Sequence, residues 1–470
     1  MGTLNFQDFS FNALKNVLNK LKELLIKSEY ASGYIQRLHT GYGLIHAPRR
    51  KLTYGNTRTE TLLSFFAENK ALTIDQTERV FTKSLRERLE KAKIIIRTDK
   101  AKYQSVFRIV PLNQFFLLVP FRRFCEPPVY IGADSVTFHR YVQIIKPPKN
   151  ILDLSTGSGF QLFALPWQGA DYSMLGIDIN PNAISIAKLN AQWNNCTWMD
   201  FQQGDVTKDL ENFSKTYDLI LGNLPILPTP ENMKTRIEGM VHADGGEDGF
   251  KVIRKILPTI PNLLSEHGTL QLILVSLGSD KKPDLLQEIE KIFNEIGLKG
   301  RITVIKKIPV ELDSYYRGQT DYEEYQRWMN FYNRLKKTYW YRLILRAEKK
   351  FGKNEDTDKL TYIELLRTDF SKTPNRERVT LEKIRRDINH FLADTLLSKS
   401  SKQEFNTISK KIEEEILKPA NLEKSITEYG IKLAEKYPDV FPTAGAAIRF
   451  WGQVTAEFRY QPKFLERVLW

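Results

Sequence analysis

Apolar side chains recur at helical spacing through residues 10–27, where Leu14, Val17, Leu18, Leu21, Leu24 and Leu25 fall on one face of a helix. Shorter helical patterns follow at 61–67, at 72–81 with Thr73 or Asp75 as cap, and at 84–92. Residues 94–96 and 103–110 then turn to β-favouring runs. Three helices followed by two strands is the pattern of a winged-helix-like module. From residue 150 the pattern changes. Short apolar runs at 150–154, 174–178, 198–203, 217–222, 268–276 and 301–308 are separated by helical stretches at 161–165, 181–194, 249–265 and 283–296. Alternation of this kind predicts an α/β fold, a parallel sheet with helices on both faces. A last strand is expected at 340–347, after an aromatic-rich insertion at 311–335. Beyond a charged linker at 350–359 come helical patterns at 360–369, 378–397, 402–417, 421–436 and 443–458. The expected organisation is a mainly helical N-terminal domain (1–129), an α/β Rossmann-like domain (130–350) and an all-helical C-terminal domain (351–470).

Charge sharpens this division. The chain carries 70 Lys+Arg against 56 Asp+Glu, a net +14. Residues 1–130 hold 22 basic and 11 acidic side chains, residues 131–350 hold 27 and 26, and the remainder holds 21 and 19. Most of the excess therefore lies in the first domain, which fits a polyanionic partner such as RNA. Arg86, Arg88, Lys91 and Lys93 are the residues of its third helix expected to face one; an ordinary solvated helix face is the alternative. Two cysteines, Cys125 and Cys196, with no Cys/His cluster, argue against a disulfide framework and a zinc site, so no metal is expected. The longest apolar runs, 115–120 and 270–277, are too short to span a bilayer. With no signal-like start, a reducing, cytoplasmic location is expected. The C-terminal helices are expected to serve a partner or a homodimer.

The candidate chemistry gathers where strands end. Ser155–Gly159 leaves the first core strand as a glycine-bearing turn, which lets a ligand lie against bare peptide. The second strand ends in Asp178, placed to accept ribose hydroxyls, and the third in Asp205, within reach of a base amino group. The fourth stops at Asn223-Leu224-Pro225-Ile226. In a doubly wound sheet these ends share one crevice. A dinucleotide fingerprint is absent, because Gly157-Ser158-Gly159 is followed by Phe160, Gln161 and Leu162 rather than a third glycine.

This succession resembles the class I S-adenosylmethionine-dependent methyltransferases, over roughly residues 130–350. More narrowly it looks like the branch that holds HemK-type glutamine methyltransferases and the small-domain ribosomal RNA guanine and adenine methyltransferases. That branch carries Asp-x-x-x-Gly-x-Gly, matched by Asp153 to Gly159, an acidic strand end, matched by Asp178, and Asn-Pro-Pro-aromatic. The stretch Asp244-Gly-Gly-Glu-Asp-Gly249 is also similar. The resemblance implies S-adenosyl-L-methionine as cofactor, held by Asp153, Thr156, Gly157, Ser158, Gly159, Asp178, Ile179, Asp205, Val206 and Asn223. It implies that Asn223 and Pro225 shape the catalytic end, with the Asn side chain and the next backbone carbonyl accepting two N–H bonds of a planar nitrogen. In the family an Arg-Pro-Asp-Thr-Glu-like segment closes over the methionine end of the cofactor, and Asp134 and Ser135 match it in part.

The tetrapeptide departs from the family in having Leu224 for the first proline and Ile226 for the aromatic. Ile226 supplies apolar carbon but no π-face. Tyr315, Tyr316 and Arg317, in the loop opening the insertion, are the candidate replacements, while Tyr322, Tyr325, Trp328 and Tyr332 fall at helical spacing and read as a core stripe. Three acceptors stay open: an RNA nucleobase, placed first by the charge of the N-terminal domain, a protein side chain such as glutamine, and a small molecule.

Overall fold

The structure, a computed structural model, describes residues 3–9, 11–38, 57–99, 101–144, 146–166, 169–231, 243–311, 322–350, 360–364, 411–412, 415, 426–438, 441 and 447. The chain divides into two compact units. The first comprises 1–274, 290–302 and 344–361; the second comprises 275–289, 303–343 and 362–470.

The first unit opens with α1 (Phe11–Lys27), which buries Leu14, Val17, Leu18, Leu21 and Leu25. After α2 (Tyr30–Leu38) come α3 (Thr57–Phe66), β1 (Leu72–Thr73), α4 (Ile74–Val80), α5 (Lys83–Lys91), β2 (Ile95–Asp99) and β3 (Lys102–Ser105). Thr73, not Asp75, caps α4. Its hydroxyl accepts the Gln76 N–H while the Gln76 side chain accepts the Thr73 N–H, so two otherwise orphaned donors are satisfied together. The three strands form a small antiparallel sheet in the order β1-β3-β2. The single β-rich run expected at 103–110 breaks at Val106, and a hairpin of β4 (Phe107–Leu112) and β5 (Phe115–Pro120) follows.

Every residue of β5 is buried, yet among the described residues its one strand partner is β4. Its other edge is satisfied by amides from a later helix. Asn190 accepts the Leu118 N–H at 2.8 Å and donates to the Leu118 carbonyl at 3.1 Å; Asn194 does the same for Phe116 at 3.2 and 2.9 Å. A carboxamide has the donor and acceptor of a peptide group, so two of them one helical turn apart imitate a neighbouring strand. The indole N–H of Trp193, on the same helix, donates to the Leu18 carbonyl at 3.1 Å. One apolar core consequently runs from α1 through α3 and the hairpin to Ala183, Ile186, Leu189 and Trp193.

After α6 (Ala133–Tyr141) comes the α/β core: β6 (Asn150–Leu154), α7 (Phe160–Ala164), β7 (Ser173–Asp178), α8 (Pro181–Trp193), β8 (Met199–Gln203) and β9 (Tyr217–Gly222). Then follow α9 (Lys251–Ile256), α10 (Ile260–Leu263), β10 (Leu264–Gly278), α11 (Leu285–Ile296), β11 (Leu298–Pro309), α12 (Tyr322–Arg334), β12 (Tyr339–Lys349) and β13 (Thr361–Glu364). The strands lie in the order β13-β11-β12-β10-β9-β6-β7-β8. The pairs β7–β8, β6–β7, β6–β9 and β9–β10 are parallel. Strand order reverses at β6, with β7 and β8 to one side and β9 and β10 to the other, which puts the crevice above the end of β6.

Two expectations are corrected. The helix predicted over 249–265 is present over 251–263 but tightens to a 3-10 turn at Leu257–Thr259, where prolines at 258 and 261 remove backbone donors, and β10 begins already at Leu264. The helix predicted over 360–369 begins instead as β13; Thr361, Tyr362 and Ile363 favour a pleated strand, and sheet pairing beside β11 outweighs the helical spacing.

In the second unit, α12 buries Trp328, Phe331 and Tyr332, as expected of a core-facing stripe. Lys337 pairs with Asp284 at 2.8 Å, and the Tyr341 hydroxyl donates to the Ser279 carbonyl. Further on, α13 (Ile426–Lys436) buries Tyr429 and Leu433. The other predicted C-terminal helices, and the dimer expected of them, fall almost wholly outside the described residues. Among the described residues no helix is long and apolar enough to cross a membrane, and no His/Cys/Asp/Glu group could hold a metal.

Candidate active site

The glycine turn after β6 is built by two carboxylates. Asp153, the fourth residue of β6, is wholly buried, and its Oδ2 accepts the Thr156 hydroxyl at 2.7 Å. No described residue donates to its Oδ1. Burial pushes the Asp153 carboxyl up to about 7, against the Thr156 bond and reinforced by the negative charge of Asp178. Asp178, ending β7, receives the Gly157 N–H on Oδ2 at 2.8 Å and the Asn180 N–H on Oδ1 at 2.9 Å. Burial raises its carboxyl too, opposed by those two bonds. Each of its oxygens keeps a lone pair for a further donor.

Gly157 has φ +57°, and a Cβ built there meets nothing nearer than the Tyr130 carbonyl oxygen, at 4.0 Å. The peptide is thus bare toward open space, in a backbone shape that side chains resist. Ile179, just past Asp178, is 63% exposed, and Tyr130 is 43% exposed. Apolar surface this exposed, beside the Asp178 carboxylate with a lone pair left on each oxygen and a bare turn, fits a nucleoside-bearing ligand. Thr156 is buried, as is Ser158, whose hydroxyl has no partner among the described residues. The Ser158 carbonyl accepts from Asn190 at 3.1 Å, which ties the turn to α8.

Asp205, just past β8, is already engaged. Its Oδ1 accepts the Thr207 N–H and hydroxyl at 2.9 and 2.8 Å, and its Oδ2 pairs with Lys208 at 2.9 Å. Burial acts to raise its carboxyl, but the bonds to Lys208 and Thr207 outweigh it and hold the group below the usual range. A base amino group would have to share that carboxylate. Lys208 is 76% exposed, so the pair opposing such sharing is a weak one. Val206, beside it, is half-buried.

At the end of β9, the Asn223 side-chain N–H2 donates to Asp134 Oδ2 at 2.7 Å and to Ser135 Oγ at 3.2 Å. Its Oδ1 is left as an acceptor. Pro225 is half-buried, while Leu224 and Ile226 are 3% and 5% exposed, so their side chains pack inward and offer little face to an acceptor. The loop is backed by the glycine-rich stretch. Leu227 N–H bonds to the Ala243 carbonyl, Gly245 N–H to the Leu227 carbonyl, and Thr229 N–H to the Gly246 carbonyl, at 2.9, 2.9 and 2.8 Å. A Cβ at Gly245 would stand 2.7 Å from the Ile226 carbonyl carbon, so only glycine lets the two backbones meet. Tyr315, Tyr316 and Arg317 lie outside the described residues. Sequence reasoning missed the two amides, Asn190 and Asn194, and the pairing of Asp134 with Asn223. The only trace of the first was polar residues four apart on an otherwise apolar helix face.

Residues 145–332 match the family model described as a methyltransferase domain. A protein of Methanocaldococcus jannaschii, provisionally named a protein N5-glutamine methyltransferase, is 33% identical over 187 residues, 40% of this chain and 89% of that protein. The release factor glutamine methyltransferase of Caulobacter vibrioides is 31% identical over 32% of this chain and 50% of its own length, so the chain spans about half of that relative. A solved structure of an S-adenosylmethionine-dependent methyltransferase from Agrobacterium tumefaciens is 16% identical over 56% of this chain and 80% of that one, with a TM-score of 0.32, too low to argue from.

Proposed function

The chain belongs to the class I S-adenosylmethionine-dependent methyltransferases, and from that premise we propose that it methylates the side-chain nitrogen of a protein glutamine. The observation that carries this reading is Asn223: both hydrogens of its carboxamide are tied inward, which presents an oxygen to an acceptor N–H. The relatives named for glutamine methylation support a protein amide as the acceptor, so RNA is taken here as the second reading.

The site's residues fit the cofactor. Asp178 is the acceptor for its ribose hydroxyls, Ile179 and Val206 the apolar flank for its base, and Asp205 the acceptor for an amino group. The Gly157–Gly159 turn supplies close backbone approach, with Asp153, Thr156 and Ser158 beneath it. When bound, the cofactor supplies a sulfonium-activated methyl group, so the protein has no nucleophile of its own to activate. An amide nitrogen has its lone pair delocalised and is a poor nucleophile. Asn223 Oδ1 and the residue 224 carbonyl accept its two N–H bonds, turn the lone pair toward the methyl and favour the pyramidal nitrogen of the transition state. Pro225 fixes the backbone that carries this carbonyl. The buried Leu224 and Ile226 set the loop's shape rather than stack on the acceptor.

RNA N-methylation remains as the second reading, favoured by one observation. The elements α3, β1, α4, α5, β2 and β3, with sheet order β1-β3-β2, follow the winged-helix arrangement, and α5 and the turn after it expose Lys83, Arg88, Lys91 and Lys93. Arg86 does not join them; it is buried against Glu78 at 2.9 Å and lies over the Tyr103 ring. The test is to incubate the protein with methyl-labelled cofactor and a fractionated lysate. Label released by protease and not by ribonuclease is expected; ribonuclease-sensitive label, with binding that weakens steeply with salt, would reverse the order of the two readings.

A further inference from the structure

We propose that Asp134 is a positioning residue that decides which end of the Asn223 carboxamide faces the methyl acceptor, an inference that rests on the amide-acceptor reading above. A carboxamide is nearly symmetric in shape but opposite in hydrogen-bond sense at its two ends. With oxygen outward Asn223 accepts an N–H; with NH2 outward it repels one. Something must therefore break the symmetry.

Asp134 does so. Ionised, a carboxylate only accepts, so the end of Asn223 lying 2.7 Å from Asp134 Oδ2 has to be the NH2. Ser135 Oγ lies 3.2 Å from the same nitrogen and also takes the Gly132 N–H at 3.2 Å, so it too is used as an acceptor. Both N–H bonds of Asn223 are spoken for, and no described residue donates to its Oδ1.

The segment that carries Asp134 is itself held. The Ser135 carbonyl accepts from Gln161, on α7 beside the glycine turn, at 2.9 Å. Just beyond the far end of α6, Gln143 and the buried Gln271 of β10 exchange two bonds at 2.8 and 2.6 Å. The Asp134 carboxylate also folds over Gly132, where a Cβ would stand 2.0 Å from Asp134 Oδ1. Any side chain at 132 displaces it. A helix cap alone requires neither the tie to Asn223 nor this close approach.

The test uses the full chain. Asp134→Asn keeps the shape but lets either end of the pair donate. It is expected to lower kcat about 10- to 100-fold while cofactor affinity by calorimetry stays within about two-fold. In the double variant Asp134→Asn/Asn223→Asp, donor and acceptor trade places and an oxygen faces the acceptor again, so turnover is expected to recover above both single variants. Three results would overturn the inference: wild-type kcat in Asp134→Asn, cofactor affinity falling in step with turnover, or a double variant no faster than the singles. A second measurement separates this inference from the acceptor reading. The Asn223 side-chain NH2, observed by 15N NMR, is expected to exchange slowly in the wild type and faster in Asp134→Ala. If protection is present while no glutamine is methylated, the acceptor reading falls and the pairing stands; equal exchange in both proteins sinks the pairing.

Discussion

Asp153→Asn tests the electrostatics beneath the glycine turn. Asp153 is wholly buried, with one oxygen on the Thr156 hydroxyl and the other without a described donor, and burial raises its carboxyl from 3.8 to about 7. Because the folded-state pKa is the higher one, folding disfavours the ionised form. The penalty is absent below pH 3.8, grows as pH rises through about 7 and is constant above that. At about 1.4 kcal/mol per pH unit, roughly three units amount to about 4 kcal/mol at pH 8. The asparagine removes that penalty but places an NH2 where the unpaired oxygen stood, costing about 1–3 kcal/mol at every pH. The cofactor-free variant is therefore expected to be more stable than the wild type by about 1–3 kcal/mol at pH 8 and no more stable than it near pH 4.5. Thermal unfolding at the two pH values reads this as a Tm difference that shrinks or changes sign on acidification. Cofactor affinity is expected to fall in the same variant, since the buried anion beneath the turn is lost. A Tm difference identical at both pH values would refute the reasoning, because Asp153 would then not titrate between them.

Asp178→Ala removes the paired acceptor and the anchor of the Gly157 N–H; calorimetry is expected to show cofactor binding reduced at least about 100-fold. Asn223→Ala is expected to leave cofactor affinity unchanged and abolish methyl transfer, measured with labelled cofactor. Gly157→Ala places a side chain at φ +57° and fills the space above the turn, so a stability loss of about 1 kcal/mol should accompany a larger loss of cofactor affinity. Asn190→Asp turns a donor shared by the Leu118 and Ser158 carbonyls into an acceptor facing both; a loss of about 2–4 kcal/mol in denaturant unfolding is expected.

α1 was legible because its apolar residues recur at helical spacing along one buried face, and the core strands because each is a short apolar run bounded by turn residues and followed by a helical stretch. The cap of α4 was legible only as Thr73 or Asp75, and the reciprocal bonds with Gln76 decide for Thr73. The hairpin was not: β5 is apolar at all six positions, so no alternation marks it as a strand, and the amides that satisfy its edge lie more than 70 residues away. Nor was the sheet order, since β12 lies between β10 and β11 although it follows both in the chain. Around the candidate site, the placement of Asp153, Gly157, Asp178 and Asn223 at or just past the ends of parallel strands was readable from the sequence. The inward turn of Arg86 and the partner of Asp134 were not, because a charged residue near a helix start reads the same whether it faces solvent, a salt bridge or an amide.

The most direct test of the central claim, that Asn223 aims an amide nitrogen at the cofactor's methyl, is to locate that methyl by tandem mass spectrometry of the modified protein. A glutamine residue heavier by one methyl is expected, with the mass on its side-chain nitrogen. A methyl on a carboxylate oxygen, a hydroxyl or a carbon would contradict it.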